Sequence, residues 1–326
     1  MKAEILKVLR EAGDYVSGQE LCGRLGVSRT AVWKVIGQLK EEGYQIEAVR
    51  NRGYRLREAA DVVTGAELLS QLKTSWAGKR LEYFEQTDST NIQARRLAEA
   101  GAPHGTLAVA DCQAAGKGRR GRTWNSPAGT GIFMSLVLRP SFTARSASML
   151  TLVAALAVSE GIQQAAGLRT GIKWPNDIVC GGRKLCGILT EMSTEGEDIR
   201  YVVVGMGINV NTEEFPPEVE RTATSLKREL GRSVKRSQVI GAVMTAFEAY
   251  YQVFEKTEDL SVLMEEYNGR SANRGKQVAV LDPAGEYRGE ALGIDSQGSL
   301  LVRLPDGQVK PVISGEVSVR GIYGYV

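Results

Sequence analysis

The chain has 326 residues, of which 43% are hydrophobic and 24% are charged, and its formal net charge is +3. This length suits two or three domains, and the composition excludes fibrous and largely disordered proteins. The single histidine excludes metal centres built on several histidines, and the absence of a Cys-x-x-Cys pair, a signal peptide and a long uninterrupted apolar run predicts a cytoplasmic protein without disulfides or a membrane partner.

The first sixty residues predict three short helices followed by a two-stranded hairpin. Gly13 and Gly26 would end the first two helices, and Ser17 and Ser28 would cap the second and third. This order is typical of a winged helix-turn-helix, in which the third helix enters the major groove and the hairpin meets phosphates. The segment holds 11 Lys and Arg against 8 Asp and Glu, so it carries the net positive charge. The candidate DNA contacts are Ser28, Arg29, Thr30, Trp33, Lys34, Arg50, Arg52 and Arg55.

A small helical module with a solvated basic face is the alternative for this segment. Two positions are open for Trp33, which would either lie partly in the core or contact DNA. The coincidence of a basic hairpin, an exposed helix face and the charge surplus favours DNA binding.

Residues 58–61 predict a linker, and Thr64 predicts the cap of the next helix. Beyond it, strand-like and helical runs alternate, which predicts a mixed α/β domain whose sheet is covered by helices. The strand candidates are 80–85, 106–112, 132–138, 187–191 and 201–204, and the helix candidates are 92–100, 147–166 and 236–255.

The stretch after the second strand candidate contains Gly116, Gly118 and Gly121 in a formal G-x-G-x-x-G spacing. Two features speak against a dinucleotide fingerprint: no helix is predicted to begin there, and four cations stand among the glycines. We interpret residues 116–122 as a flexible basic loop that folds over a phosphate-bearing ligand, since glycine permits close approach and guanidinium groups neutralise phosphate. A solvated surface loop is the alternative.

Two further motifs combine glycine or proline with polar side chains. In Lys-Trp-Pro-Asn-Asp (173–177), Pro175 would fix a turn from which Asn176 and Asp177 reach backbone or metal, with Lys184 on a nearby hairpin. In Gly-Met-Gly-Ile-Asn (205–209), the two glycines end a predicted strand. They would suit close approach of a ligand, and a tight bend is the alternative.

The segment from Gly275 onward predicts a small antiparallel barrel. Short alternating strands are separated by turn sequences at 282–285, 295–298 and 305–307. No residue pattern in this segment indicates chemistry of its own.

In combination, these motifs resemble the biotin–protein ligases that also act as biotin operon repressors. Residues 116–122 are similar to the family's GRGRRGR, with Lys117 in place of an arginine, and 88–91, 173–177, 183–188 and 205–209 match as well. The resemblance covers essentially the whole chain and implies an α+β multidomain fold. It implies a winged helix-turn-helix in 1–60, a mixed α/β, class II synthetase-like ligase core in 61–272 and an SH3-like β-barrel in 273–326.

The resemblance implies a two-step reaction that uses ATP, biotin and Mg²⁺. Biotin is activated to biotinyl-5′-AMP and then transferred to a lysine of biotin carboxyl carrier protein. Because the first step joins two anions, it needs cations rather than histidine, in agreement with the single His104. The implied catalytic residues are Lys184 and Arg119. The implied ligand-binding residues are Ser89, Thr90, Asn91, Gln113, Gly116, Lys117, Gly118, Arg119, Arg122, Trp124, Asn176, Asp177, Lys184, Gly205, Gly207 and Asn209.

By this resemblance, residues 89–91 and Gln113 hold the biotin head group. The loop and Lys184 meet the carboxylate and phosphate, and Asn176 and Asp177 are candidates for the metal or nucleotide. Plain helix capping is the alternative for Ser89 and Thr90, and Trp124 would either stack on adenine or anchor the loop. The replacement of arginine by Lys117 removes a bidentate fork.

The resemblance also implies regulation. The family's adenylate-bound form is a homodimer that presents two winged helices to operator DNA, so biotinyl-5′-AMP is expected to be the corepressor, with ordering of residues 116–122 as the two-state element. Unmodified carrier protein would compete with dimerisation. A biotin-sensing transcription factor without catalysis and a lipoate-type ligase are the alternatives. The cation-rich loop speaks against the first, and the winged helix together with 173–177 speaks against the second.

Overall fold

The structure, a computed structural model, describes residues 1–57, 61–282 and 285–313 and the backbone of 318–321. Most of the predicted linker at 58–61 therefore lies outside the described residues. The same holds for the middle of the predicted turn at 282–285 and for the last five residues of the predicted barrel.

The first domain contains the helices and the hairpin that the sequence predicts. Within residues 1–57 its elements are α1 (Lys2–Ala12), α2 (Gly18–Leu25), α3 (Arg29–Glu41), β1 (Ile46–Val49) and β2 (Gly53–Leu56). The hydroxyls of Ser17 and Ser28 accept the amides of Glu20 and Ala31, which caps α2 and α3. One apolar face of α3 is buried in the hydrophobic cluster of this domain, so its opposite face is left exposed; the buried α3 residues are Val32, Val35, Ile36 and Leu39.

The second domain is built on a mixed sheet. Its described strands are β3 (Leu81–Thr87), β4 (Thr106–Gln113), β5 (Gly131–Leu138), β6 (Gly171–Lys173), β7 (Asp177–Cys180), β8 (Arg183–Glu195) and β9 (Asp198–Asn209). They are ordered β3-β4-β5-β9-β8-β7-β6; β3 pairs parallel with β4, and the other neighbours pair antiparallel. The predicted α/β domain with a covered sheet is thus confirmed.

Helices cover both faces of this sheet. Among the described residues, the helices of this domain are α4 (Gly65–Gln71), α5 (Thr90–Glu99), α6 (Ala144–Ser148), α7 (Leu150–Ala166), α8 (Leu226–Leu230), α9 (Arg236–Thr257) and α10 (Met264–Arg270). Ala94 and Ala98 of α5 pack on Val137 and Val203 in one cluster, and α7 and α9 belong to the larger core cluster. The helix predicted at 147–166 is divided, because a break at Met149 separates α6 from α7.

The segment 144–166 is apolar enough, by length and mean composition, to cross a membrane, although polar residues interrupt it. However, 78% of its most apolar window is buried inside the protein. It is therefore the central helical segment of the core, which explains why it is hydrophobic on all sides.

The C-terminal domain is a small antiparallel sheet, which confirms the predicted antiparallel strands, and closure of the sheet into a barrel stays a prediction. Its described strands are β10 (Gln277–Asp282), β11 (Gly285–Ile294), β12 (Leu300–Arg303), β13 (Val309–Val312) and β14 (Ser318–Gly321), in the order β13-β12-β11-β10-β14. The sheet is attached to the core through Trp174, which is 1% exposed. Its indole N–H donates to the Gly298 carbonyl at 3.0 Å, and its amide donates to Asn273 Oδ1 at 2.8 Å.

Candidate active site and nucleic-acid interface

A cleft of about 1560 Å³ opens beside the ends of β7, β8 and β9. It is lined by residues from the basic loop, from the turn 173–177, from the hairpin 181–184 and from Lys276 of the C-terminal domain. A second, smaller cavity of about 50 Å³, which we call the inner cavity, adjoins the cleft. It is lined by residues 89–91, Gln113, Gly187 of β8, and Gly205 and Gly207 of β9. All the predicted ligand-binding residues except Gly116 line one of these two spaces.

Gln113 is held rigidly at the wall of the inner cavity. Its Oε1 accepts the amide of Thr90 at 2.8 Å and the Thr90 hydroxyl at 3.2 Å, and its Nε2 donates to Ser126 Oγ at 2.8 Å. Ser135 Oγ, which is fully buried, donates to Asn91 Oδ1 at 2.6 Å and lies 2.8 Å from Thr90 Oγ1. The result is a network of fixed donors and acceptors suited to a small polar ligand.

Ser126 and Ser135 were missed in the sequence. The signal for Ser135 was a single hydroxyl inside the otherwise apolar run 131–138, where a buried polar side chain needs a partner. Ser126 lies in a loop and gave no comparable signal.

The capping alternative for Ser89 and Thr90 is wrong for their side chains. Within the described residues, Ser89 makes no side-chain capping bond, and the Thr90 hydroxyl binds Gln113. Asp88 Oδ1 instead accepts the Ser89 amide at 2.7 Å. Burial alone would raise the pKa of Asp88, but this bond and that from Gln93 lower it. Asp88 therefore remains a carboxylate that orders the start of α5.

The two glycines of β9 make room for side chains. The tight-bend alternative is wrong, because Gly205 and Gly207 lie within the continuous strand β9. A Cβ at Gly205 would overlap the side-chain oxygen of Asn91, and a Cβ at Gly207 would lie 2.9 Å from the Trp124 indole. Close approach of a ligand to these glycines stays a prediction.

Trp124 is anchored on the sheet in this structure. Its ring also lies 3.1 Å from the position that a Cβ of Gly187 would take, and Lys184 Nζ is 5.2 Å from the ring centroid. Its buried Nε1 has no hydrogen-bond partner among the described residues. A buried donor without an acceptor costs free energy, so a ligand oxygen at this position would be stabilised.

Two cations converge where the inner cavity meets the cleft. Lys184 Nζ lies 2.7 Å from Asp177 Oδ1, and Arg119 donates to Asn176 Oδ1 at 2.9 Å. Burial lowers the pKa of Arg119, which is offset in part by the charge of Asp177. Both cations line both spaces. The turn 174–177 thus positions an ammonium and a guanidinium to stabilise negative charge on a ligand.

The basic loop forms a compact hairpin at the cleft. The backbones of Lys117 and Thr123 form an antiparallel β-bridge, and the Gly118 amide donates to the Arg122 carbonyl at 2.7 Å. At the tip of the hairpin, Arg120 adopts a left-handed backbone conformation with φ 57°. No helix begins between the end of this loop and β5, within residues 122–130, which agrees with our argument against a dinucleotide fingerprint.

The candidate metal ligands are already engaged. Asn176 and Asp177 contact Arg119 and Lys184, and the described residues contain no cluster of three or more His, Cys, Asp or Glu that could hold a metal ion. These residues suit a divalent cation that arrives with most of its own ligands, such as phosphate oxygens and water.

The face of α3 opposite its core is a candidate DNA-reading surface. Arg29, Thr30 and Lys34 are exposed, and Trp33 is 70% exposed, so the half-core alternative for this tryptophan is wrong. Ser28 lies at the start of this surface and caps α3.

The wing carries the predicted arginines on the hairpin β1–β2, and Arg50 and Arg52 are exposed. The Arg52 guanidinium lies 4.1 Å from the Tyr15 ring centroid, and that of Arg55 lies 5.9 Å from it. Both arginines are within 4 Å of Asp14, at 3.9 and 3.8 Å. Tyr15 and Asp14 were not singled out in the sequence, where neither has a distinctive spacing.

Comparisons with known proteins match all three parts of the chain. Family models match for an HTH domain over residues 2–55, the biotin/lipoate A/B protein ligase family over 83–209 and the biotin protein ligase C-terminal domain over 275–320. The chain is 40% identical to the bifunctional ligase/repressor BirA of Bacillus subtilis over 98% of both chains. It is 30% identical to BirA of Escherichia coli over 94% of both chains. It is also similar to the biotin protein ligase from Aquifex aeolicus solved in complex with biotin and ATP (TM-score 0.66, 31% identity, 74% of this chain and 99% of that chain).

Proposed function

The chain belongs to the biotin–protein ligase family, and from this premise we propose how its residues serve a ligase and a repressor. The ligase forms biotinyl-5′-AMP from biotin and ATP and transfers biotin to a lysine of biotin carboxyl carrier protein. The repressor binds the biotin operon with biotinyl-5′-AMP as corepressor. Both activities belong in the cytoplasm, where operator and carrier protein are accessible.

One observation carries the residue assignment. Lys184 and Arg119 lie at the junction between a polar inner cavity and a much larger cleft. We assign the inner cavity, with Gln113, Ser89 and Thr90, to the fused-ring head group of biotin and the cleft to ATP. The junction then receives the biotin carboxylate and the α-phosphate. The inner cavity is only about 50 Å³, so biotin would extend from it into the adjoining cleft, past the Trp124 ring that lies over Gly207.

In the first step, a biotin carboxylate oxygen attacks the α-phosphorus of ATP. The new O–P bond forms as the bond to the β-phosphate oxygen breaks, and pyrophosphate leaves. Negative charge accumulates around phosphorus, so Lys184 and Arg119 stabilise the transition state more than the separated reactants. No proton transfer by histidine is needed.

In the second step, the neutral amine of the carrier lysine attacks the carbonyl carbon of the mixed anhydride. An amide forms, AMP leaves with the bonding electron pair, and the amine loses a proton. Arg122, which lines the cleft, and the loop glycines would keep water away from the anhydride until the lysine arrives.

Magnesium would enter with ATP and neutralise the charge of the leaving pyrophosphate. Asp177 and Asn176 are the residues that would face it, through water or directly after they move away from Lys184 and Arg119. This agrees with the preference of Mg²⁺ for one or two carboxylates plus phosphates and waters.

For the repressor, we propose that the adenylate-bound chain is a homodimer in which α3 of each protomer enters a major groove. The exposed face of α3 and the arginines of the wing supply base and phosphate contacts, respectively. Unmodified carrier protein would compete for the dimerisation surface.

The ligase assignment is tested with Lys184→Ala. We expect biotin-dependent exchange of pyrophosphate with ATP to fall by at least about two orders of magnitude, because roughly 3 kcal/mol or more of transition-state stabilisation is lost. The matched control is Lys79→Ala, which removes an exposed lysine that lines neither cavity. Transfer of labelled biotin to a carrier domain is measured in parallel. Exchange by Lys184→Ala at the control rate would contradict the assignment, and absence of transfer by the wild type would contradict the ligase function itself.

A further inference from the structure

A buried carboxylate joins the DNA-binding domain to the ligase core. Glu67 of α4 is 4% exposed, and both its oxygens accept from Arg10 of α1, at 2.9 and 3.0 Å. The hydroxyl of Tyr44, which follows α3, donates to the same carboxylate at 3.2 Å. Two elements of the first domain therefore meet one side chain of the second.

The core holds the other side of Glu67. Gln71 Nε2 and Ser237 Oγ each donate to Oε1 at 3.0 Å, and the Glu67 amide donates to the Thr64 hydroxyl. The carboxylate is thus pinned by α4 and by the first turn of α9. Because several donors satisfy it, its position is fixed and the charge is compensated.

Apolar packing surrounds this ion pair. Val62 and Ala66 of the second domain pack against the hydrophobic cluster of the first, and Arg10 also donates to Ser70 Oγ at 2.6 Å. Arg10 thus uses one guanidinium nitrogen for both oxygens of Glu67 and the other for Ser70, and these bonds together restrict the angle between the two domains as well as their distance. A flexible linker alone would leave the angle between the domains undefined.

We propose that Glu67 is a positioning residue for operator binding, which fixes the reading helix α3 relative to the core. This inference rests on the proposed repressor function. In a dimer, the two DNA-binding domains would be fixed to their cores and would hold the two copies of α3 at one separation. A duplex with two half-sites is then bound without the entropic cost of ordering the two domains. The carboxylate touches neither DNA nor the ligase pocket.

A fixed angle between the domains affects binding to a duplex with two half-sites but not to a duplex with one. This difference separates a positioning role of Glu67 from damage to the DNA-binding domain itself. The probe is a duplex enriched from a random-sequence library by the wild-type chain in the presence of biotin and ATP. The second probe is the same duplex with one half scrambled. The variants are Glu67→Gln, which removes the charge, and the milder Tyr44→Phe, which removes one hydroxyl. The matched control is Glu248→Gln, whose carboxylate accepts three amides and a hydroxyl within the core, away from the first domain.

We expect Glu67→Gln to bind the two-half-site duplex about tenfold more weakly and Tyr44→Phe to show a smaller loss, with the one-half duplex bound within about twofold of wild type. Biotin transfer to a carrier domain should stay at the level of the control. Equal losses on both duplexes, or a loss no greater than that of Glu248→Gln, would overturn the positioning role alone. Failure of the wild type to enrich any duplex would overturn the repressor function and this role with it.

Discussion

Arg119 joins the basic loop to the opposite wall of the cleft by one hydrogen bond, to Asn176 Oδ1. We predict that Arg119→Gly leaves the loop unfastened, so that biotinyl-5′-AMP escapes before the carrier lysine arrives. Released adenylate, measured by chromatography, and labelling of lysines on a bystander protein should both rise. If neither rises while adenylate is still formed, Arg119 does not retain the intermediate.

Gly205 permits the position of Asn91. We predict that Gly205→Ala displaces Asn91, whose amide donates to the Leu189 carbonyl at 3.2 Å and to Glu191 at 2.7 Å. The added methyl should lower the free energy of unfolding by about 1–3 kcal/mol and weaken biotin binding by at least about tenfold. Titration calorimetry and denaturant unfolding measure the two effects.

Gly269→Ala is the matched control. This glycine is in α10, and no described atom lies within 4 Å of the position that its Cβ would take. Alanine there should leave biotin binding unchanged and stabilise the helix by up to about 1 kcal/mol. Equal biotin affinities of the two variants would show that Asn91 tolerates the methyl group.

For single residues, residue type and motif predicted which side chains line the site, but not which neighbouring side chains hold them in position by hydrogen bonds. The motif residues do line two adjoining spaces. The partners that fix them include Ser126, in a loop without a sequence signal, and Ser135, whose hydroxyl in an apolar strand indicates a buried partner but does not say which one. Their role depends on which strand lies opposite, and a local pattern does not contain that information.

The chain's single histidine, His104, lies in the loop before β4 and contacts an aromatic side chain of helix α9. His104 lies with its ring centroid 4.5 Å from that of Trp76 and 5.4 Å from that of Tyr251, and its Nδ1 accepts the amide of Arg139. Burial lowers the pKa of His104 below its ordinary value of 6.5. The neutral ring is therefore the form that fits this aromatic contact.

This shift predicts a pH dependence of stability. As the pH falls through 6.5, the unfolded chain binds a proton that the folded chain does not, so the free energy of unfolding decreases until the pH drops below the folded pKa. His104→Gln should remove this slope between about pH 5 and 7, where other side chains rarely titrate. Denaturant unfolding at several pH values measures it. An unchanged slope in the variant would assign the dependence to another group.

Elements with strong periodicity were predicted best. The helices α1–α3, α5 and α9 and the longer strands follow their apolar patterns and glycine or serine signals. Strands β6 and β7 and helices α8 and α10 were not predicted, because runs of three to seven residues are too short to show a period. The break between α6 and α7 at Met149 was not predicted, because the sequence around Met149 contains no glycine or proline that would indicate the end of a helix.

The arrangement of whole domains has the weakest signal in the sequence. The order of domains follows from composition and motifs, and the family models match in the same order. The junction at Glu67 could not be anticipated, since Thr64 and Glu67 together predict only a capped helix start. The same carboxylate satisfies the local cap and the contact between domains.

For the whole molecule, we predict that biotin and ATP together shift the chain from monomer to dimer in sedimentation velocity. Biotin with an α,β-methylene analogue of ATP, which cannot form the adenylate, is the control and should leave a monomer. Excess unmodified carrier domain should reduce the dimer fraction. A sedimentation coefficient that does not change with biotin and ATP would exclude ligand-driven dimerisation.

The bond from the Trp174 indole to the Gly298 carbonyl has a consequence for biosynthesis. The turn that carries Asn176 and Asp177 is completed by Gly298, which is synthesised 121 positions after Asp177 and long after the DNA-binding domain. A nascent chain can therefore fold its DNA-binding domain early but cannot complete the catalytic turn until Gly298 has been made. Premature termination before Gly298 would yield a DNA-binding domain without a working enzyme, and therefore without the adenylate on which the proposed operator binding depends.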